Sequence, residues 1–223
     1  MHAVLNATVY VAGDAAERAM RSFRGTAEAG LDELDVDLDA SLRDDGRIAV
    51  DAGGEDAEAA IGYLVDRFGR MTTEPEEDGR YLGTLESWDA DGFTVDVGTD
   101  VRLSAEALGD LGPGDPSQIR ERYGLVQHVP LEIRYGEEPS LTEEQIDELW
   151  SWRKGPGRLN VNSVTRSEIR ATVNRAGHAD DVVTIERLGL LEQSVVCTEG
   201  TDPPGLLAAI GEYVRGEMRC VVT

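Results

Sequence analysis

The stretch DVVTIERLGLLEQSVVC, residues 181–197, decides the fold. Two β-rich runs, Asp181 to Arg187 and Leu190 to Cys197, flank Leu188-Gly189, so the stretch reads as a β-hairpin turning at the glycine. Upstream, Arg158-Leu159-Asn160-Val161 reads as a strand. Ile169 and Val173 then recur at helical spacing within a helix from Arg166 to Ala176. Downstream, Gly200-Thr201-Asp202-Pro203-Pro204 leads into a helix reaching Val214, since proline suits a first helical turn. Met218 to Val222 makes the last strand.

Strand, helix, hairpin, helix, strand is the ferredoxin-like order, which predicts one such unit over residues 158–223. The same plan without its last strand is read over residues 1–73. Leu5 to Val11 is a strand, and a helix follows from Ala15 to Ala29, with Asp14 and Glu17 placed as a capping box. Leu34, Val36 and Leu38 alternate with Asp35, Asp37 and Asp39, a half-buried strand with an acidic outer face. Asp44-Asp45-Gly46 turns into Ile48-Ala49-Val50, and a second helix carries Ile61, Leu64, Val65 and Phe68 up to Gly69.

Between these units the texture changes. Residues 72–79 are linker-like, and residues 79–136 hold short alternating strands with close turns, which predicts a small β-barrel. A short helix is expected at 104–108, and a linker helix within 137–157, capped by Thr142 with Ile146, Leu149 and Trp150 as its apolar stripe. The predicted class is α+β: two ferredoxin-like units flanking a barrel. In such a unit the strands holding Cys197 and Cys220 are separated by another strand, so the cysteines lie roughly 9.5 Å apart, beyond the ~7 Å limit of a disulfide. Free, mostly buried thiols are expected.

Gly83-Thr84-Leu85, Gly92-Phe93-Thr94-Val95-Asp96-Val97-Gly98 and the turn after Leu103 resemble the opening strands of the S1/OB class of nucleic-acid-binding barrels. Such modules carry basic residues on the binding face, whereas residues 80–136 hold ten acids and five arginines. The whole chain also resembles a family of archaeal conserved proteins of unknown function from haloarchaea and methanogens. The resemblance lies in residues 9–19 (VYVAGDAAERA), 182–192 (VVTIERLGLLE) and 200–206 (GTDPPGL). It implies no activity.

Lys154 is the only lysine, and 44 acids face 21 bases for a net charge of -23. That balance reads as adaptation to molar salt, where a Debye length of about 3 Å screens self-repulsion. It predicts a cytoplasmic protein of a halophilic archaeon. No apolar run approaches the ~20 residues of a membrane span, and no signal peptide is read at the start, so no membrane partner is expected. His2, His128 and His178 are scattered and the two cysteines form no CxxC, so no metal and no cofactor is predicted. There is no GxSxG, and Gly53-Gly54 is followed by Glu55-Asp56, whose carboxylates already occupy the helix start where a bound anion would sit. No catalytic residue is assigned, and carboxylate chemistry stays open because no acid pair stands out.

One stretch departs from the acidic background. Residues 153–175 carry Arg153, Lys154, Arg158, Arg166, Arg170 and Arg175 against Glu168 alone. Arg166 and Arg170 share a helix face, Trp152 is the expected exposed ring beside them, and Asn160, Asn162 and Asn174 add polar groups. With Phe93 and Arg134 on the barrel, these residues suggest a nucleic-acid-binding cleft, with RNA or a ribonucleoprotein as partner. Intramolecular pairing of the same arginines with the acidic first segment is the competing reading. Thr201 and Asp202 are candidates either for anion binding or simply for capping the helix they precede. A ligand-binding regulatory module, working as a homodimer of ferredoxin-like sheets, is the alternative function.

Overall fold

The computed structural model describes residues 1–222. Among them the strands form three antiparallel sheets in a mixed α+β arrangement. The first contains β1 (His2–Thr8), α1 (Asp14–Gly30), β2 (Asp37–Leu42), β3 (Arg47–Gly53) and α2 (Ala57–Phe68), with strand order β1-β3-β2. Phe23, Ile48, Ile61 and Leu64 fill the core under its helices. Asp35, Asp37 and Asp39 are exposed as expected, although the strand starts at Asp37 rather than Leu34. Asp14 does not cap α1: Gly13, at φ 61°, holds that place with no side-chain bond. After α2 the chain returns to the free edge of β1. Arg70 bridges Leu5, and the Met71 amide donates to the Val4 carbonyl.

The second sheet contains β4 (Arg80–Asp89), β5 (Gly92–Asp96), β6 (Asp100–Ser104), β7 (Pro130–Arg134) and β8 (Ser140–Leu141), in the order β6-β5-β4-β7-β8. Its two edge strands approach each other, so it curls into a half-barrel around Phe93, Val95, Leu131 and Ile133. Residues 105–108 form turns rather than a helix. α3 (Pro116–Arg122) begins with a capping box between Asp115 and Gln118. α4 (Glu143–Trp152) begins at Thr142, whose hydroxyl accepts from the Gln145 amide at 3.3 Å.

The third sheet contains β9 (Arg158–Val161), α5 (Arg166–Arg175), β10 (Val182–Arg187), β11 (Gln193–Cys197), α6 (Pro203–Ile210) and β12 (Met218–Val221), in the order β10-β11-β9-β12. Cys220 pairs opposite Leu159, which pairs opposite Val195, so β9 separates the strands of the two cysteines. Both thiols are free, Cys197 buried and Cys220 half-buried. The opening hairpin forms with a difference: β11 starts only at Gln193. Leu190 and Leu191 leave it and bury themselves in the core of the first sheet, a gain of roughly 2 kcal/mol each. Val221 of β12 packs into the second core in the same way. The three cores therefore interlock.

Candidate functional site

The loop that carries Leu190 and Leu191 also brings Glu192 to a junction of all three sheets. Burial pushes the Glu192 carboxyl up to about 7, against the Tyr10 bond, which favours its charged form. Tyr10, just past β1, donates its hydroxyl to Glu192 Oε1 at 2.5 Å and accepts from the Ser163 amide at 3.0 Å. Burial first, then the Glu192 charge, raises the Tyr10 phenol. β1 stops short of the β-branched Val9 and Val11. The Tyr10 ring stacks on His128 at 3.9 Å between centroids. His128 Nδ1 lies 3.0 Å from Glu86 Oε1, which also accepts from the Thr84 hydroxyl at 2.8 Å. Burial opposes the Glu86 charge, but the bond to His128 holds its carboxyl below the ordinary value. His128 and Ser163 both sit at positive φ, 65° and 62°, a strained backbone for residues with side chains, stored where the units meet.

The cavity beside this cluster measures about 10 Å3, which admits about one water and no substrate. What the arrangement can do is hold or release a proton between Glu192 and Tyr10. Its hydrogen bonds tie Tyr10 of the first unit to Glu192 and Ser163 of the third. Sequence reading missed it, although Tyr10 and Glu192 lie in two of the stretches that carried the family resemblance, residues 9–19 and 182–192.

The predicted nucleic-acid residues do not come together as one face. Phe93 is 0% exposed in the half-barrel core, because alternation along β5 turns it inward, so it can stack on no base. Trp152 is 4% exposed. The inward stripe of α4 is Gln145, Leu149 and Trp152, at i, i+4 and i+7, and Trp150 is the half-buried ring instead. The Arg158 guanidinium lies 5.0 Å from the centre of the Trp152 ring and pairs with Glu186 at 2.9 Å. Arg166 donates Nε to the Ile185 carbonyl at 2.7 Å. Asn160 and Asn162 are buried and donate to the carbonyls of Gly124 and Gln127, both at 2.9 Å. Arg134 is exposed at the end of β7, and Lys154, Arg170 and Arg175 are exposed beyond α4 and on α5. Thr201 donates to the Asp181 carbonyl at 3.3 Å, and Asp202 caps α6 by accepting from the Gly205 amide at 3.1 Å. Both are occupied by the fold.

Arg153 finds a different setting. It lines an open groove of about 570 Å3 between α3 and β12, together with Gln118, Glu121, Arg122, Arg219 and Cys220. Three arginines face one acid there. The buried Nε of Arg153 has no partner within the protein. Arg122 is fixed by the Leu111 carbonyl at 3.1 Å, and Arg219 by Glu217 at 2.8 Å. Trp150 does not line this groove: its ring packs edge-on against Tyr123 and its Nε1 donates to the Asp110 carbonyl at 3.1 Å. Among the described residues no cluster of His, Cys, Asp and Glu could hold a metal ion, and no helix is long and apolar enough to cross a membrane.

Three family models match the chain nearly end to end: the DUF2110 N-terminal domain over residues 2–74, the DUF2110 central domain over 75–153 and the DUF2110 C-terminal domain over 156–222. The chain belongs to this family. A search of curated proteins finds no match to it.

Proposed function

We propose that this member of the DUF2110 family is a non-enzymatic protein of a salt-loaded archaeal cytoplasm that associates with RNA or a ribonucleoprotein. The contact surface is the groove of Arg122, Arg153 and Arg219. The observation that carries the reading is Arg153. It lines the groove with no side-chain hydrogen bond or ion pair among the described residues, beside two more arginines in a chain of net charge -23, and its guanidinium is suited to a phosphate oxygen. The strand order and curl of the second sheet support an S1/OB-like reading of it. The orders β10-β11-β9-β12 and β1-β3-β2 support a ferredoxin-like plan on either side, the first copy lacking its last strand. The test is crosslinking to cellular RNA at molar KCl. Recovery of RNA that Arg153→Glu with Lys154→Glu abolishes supports the reading, and recovery indifferent to those changes refutes it.

A second reading, a regulatory module that binds a small ligand, has one observation in its favour: an open cleft between α1 and α5, on a different part of the molecule from the groove.

A further inference from the structure

That cleft measures about 840 Å3, inside the ~300–1,000 Å3 range of small-molecule sites. Val11 and Ala15 of the first unit and Val164 and Ala171 of the third give it apolar wall. The charges on it are Asp14, Arg18, Glu168, Arg175 and Arg215. Most of the acid is already used. Glu168 takes Arg18 Nε at 2.6 Å, and its other oxygen accepts the Thr165 amide at 2.8 Å and hydroxyl at 2.7 Å. Asp14 is left to face Arg175 and Arg215, neither of which has a side-chain hydrogen bond or ion pair among the described residues.

Acids outnumber bases by 44 to 21 in this chain, so carboxylates are the common neighbour of any arginine. Even so, several arginines carry no ion pair among the described residues, and two of them, Arg175 and Arg215, line this cleft. The same lining includes Tyr213, an aromatic ring left 55% exposed. Paired planar forks suit a phosphate, and an exposed ring suits a base. The walls between are apolar enough to hold a sugar edge.

We propose that the cleft between α1 and α5 binds a nucleoside phosphate, with Arg175 and Arg215 on the phosphate and Tyr213 stacked on the base. This gives the second reading above its ligand class. It does not depend on RNA binding, because the groove of Arg153 shares no lining residue with the cleft.

The test is titration calorimetry of the full chain at molar KCl, with AMP and UMP as ligands and adenosine and inorganic phosphate as controls. Binding of at least one nucleotide is expected, with adenosine and phosphate each at least about tenfold weaker, since each keeps only one half of the contacts. Arg175→Gln with Arg215→Gln should abolish nucleotide binding. Tyr213→Ala should weaken nucleotide binding about tenfold and leave phosphate unchanged. Arg153→Glu should leave it intact, which separates this site from the RNA groove. All three substituted side chains of the cleft are exposed or half-buried at its rim, so the variants should keep the parent's melting temperature. No binding of either nucleotide overturns the proposal. So does binding that survives the double arginine change, or phosphate binding as tightly as AMP.

Discussion

Replacing Glu192 with glutamine should change how stability depends on pH, more than stability itself. The carboxyl is fully buried and stands at about 7 against an ordinary 4.5. Its folded form therefore holds a proton that the unfolded form gives up between those two values. The stabilisation is fully present below about pH 4.5 and is lost as pH rises through about 7. The gap, at about 1.4 kcal/mol per pH unit, amounts to roughly 3 kcal/mol in full, and roughly 2–3 kcal/mol is lost between pH 5 and pH 8. The amide introduced by Glu192→Gln would keep a neutral acceptor for Tyr10 but cannot ionise, so the variant lacks that slope. Glu86, Glu168 and Glu217 act with the opposite sign. Their carboxyls are held below the ordinary value by His128, by Thr165 and by Gln127 with Arg120, in each case against burial. Their stabilisation is lost as pH falls below 4.5, outside the window that matters, and it is common to both proteins. Urea unfolding at molar KCl, where general charge repulsion is screened, gives the difference between parent and variant directly. The parent should lose stability relative to the Glu192→Gln variant by roughly 2–3 kcal/mol from pH 5 to pH 8. Parallel curves across that range would refute the assignment of a raised carboxyl at the junction.

Two further outcomes can be checked on the same protein. Gly69→Ala should destabilise by about 2–4 kcal/mol in urea, because φ is 72° there and a Cβ would press into the Leu82 carbonyl of β4; a loss under about half a kcal/mol would contradict the close approach of the first two units. Both thiols should react with a chromogenic disulfide reagent in denaturant without reductant, and only slowly in the folded state, where burial pushes Cys220 up to about 11 and Cys197 is buried; rapid reaction of both in the native protein would oppose this.

Elements with local signals were legible in the sequence. The Thr142 cap, the β10–β11 hairpin and the alternation at Asp35, Asp37 and Asp39 all depend on near neighbours in the chain. Long-range contacts moved the rest. β1 ends before Val9, and Tyr10 serves a partner 182 residues away. β11 lost Leu190 and Leu191 to another sheet's core. Gly13, at φ 61°, replaced Asp14 at the head of α1. The basic stretch was correctly seen as unusual in composition, but sequence spacing could not say which arginines find partners. Arg158 and Arg166 are satisfied by β10, at Glu186 and Ile185, while Arg153 and Arg175 face open space. Arg122, Arg215 and Arg219 joined the two openings from elsewhere in the chain and carried no motif. On α4 the spacing 145, 149, 152 was the better guide to the buried face than the run 146, 149, 150.

The Tyr10–Glu192 bond has a kinetic meaning. During synthesis Tyr10 is made 182 residues before its acceptor. Contacts of such separation form late, after shorter loops have closed. The first sheet must therefore wait with a gap in its core, to be filled by Leu190 and Leu191, and with a polar side chain still wet. Closure of the junction is then a final maturation step, and a nascent chain released before residue 192 should remain a substrate for chaperones and proteases.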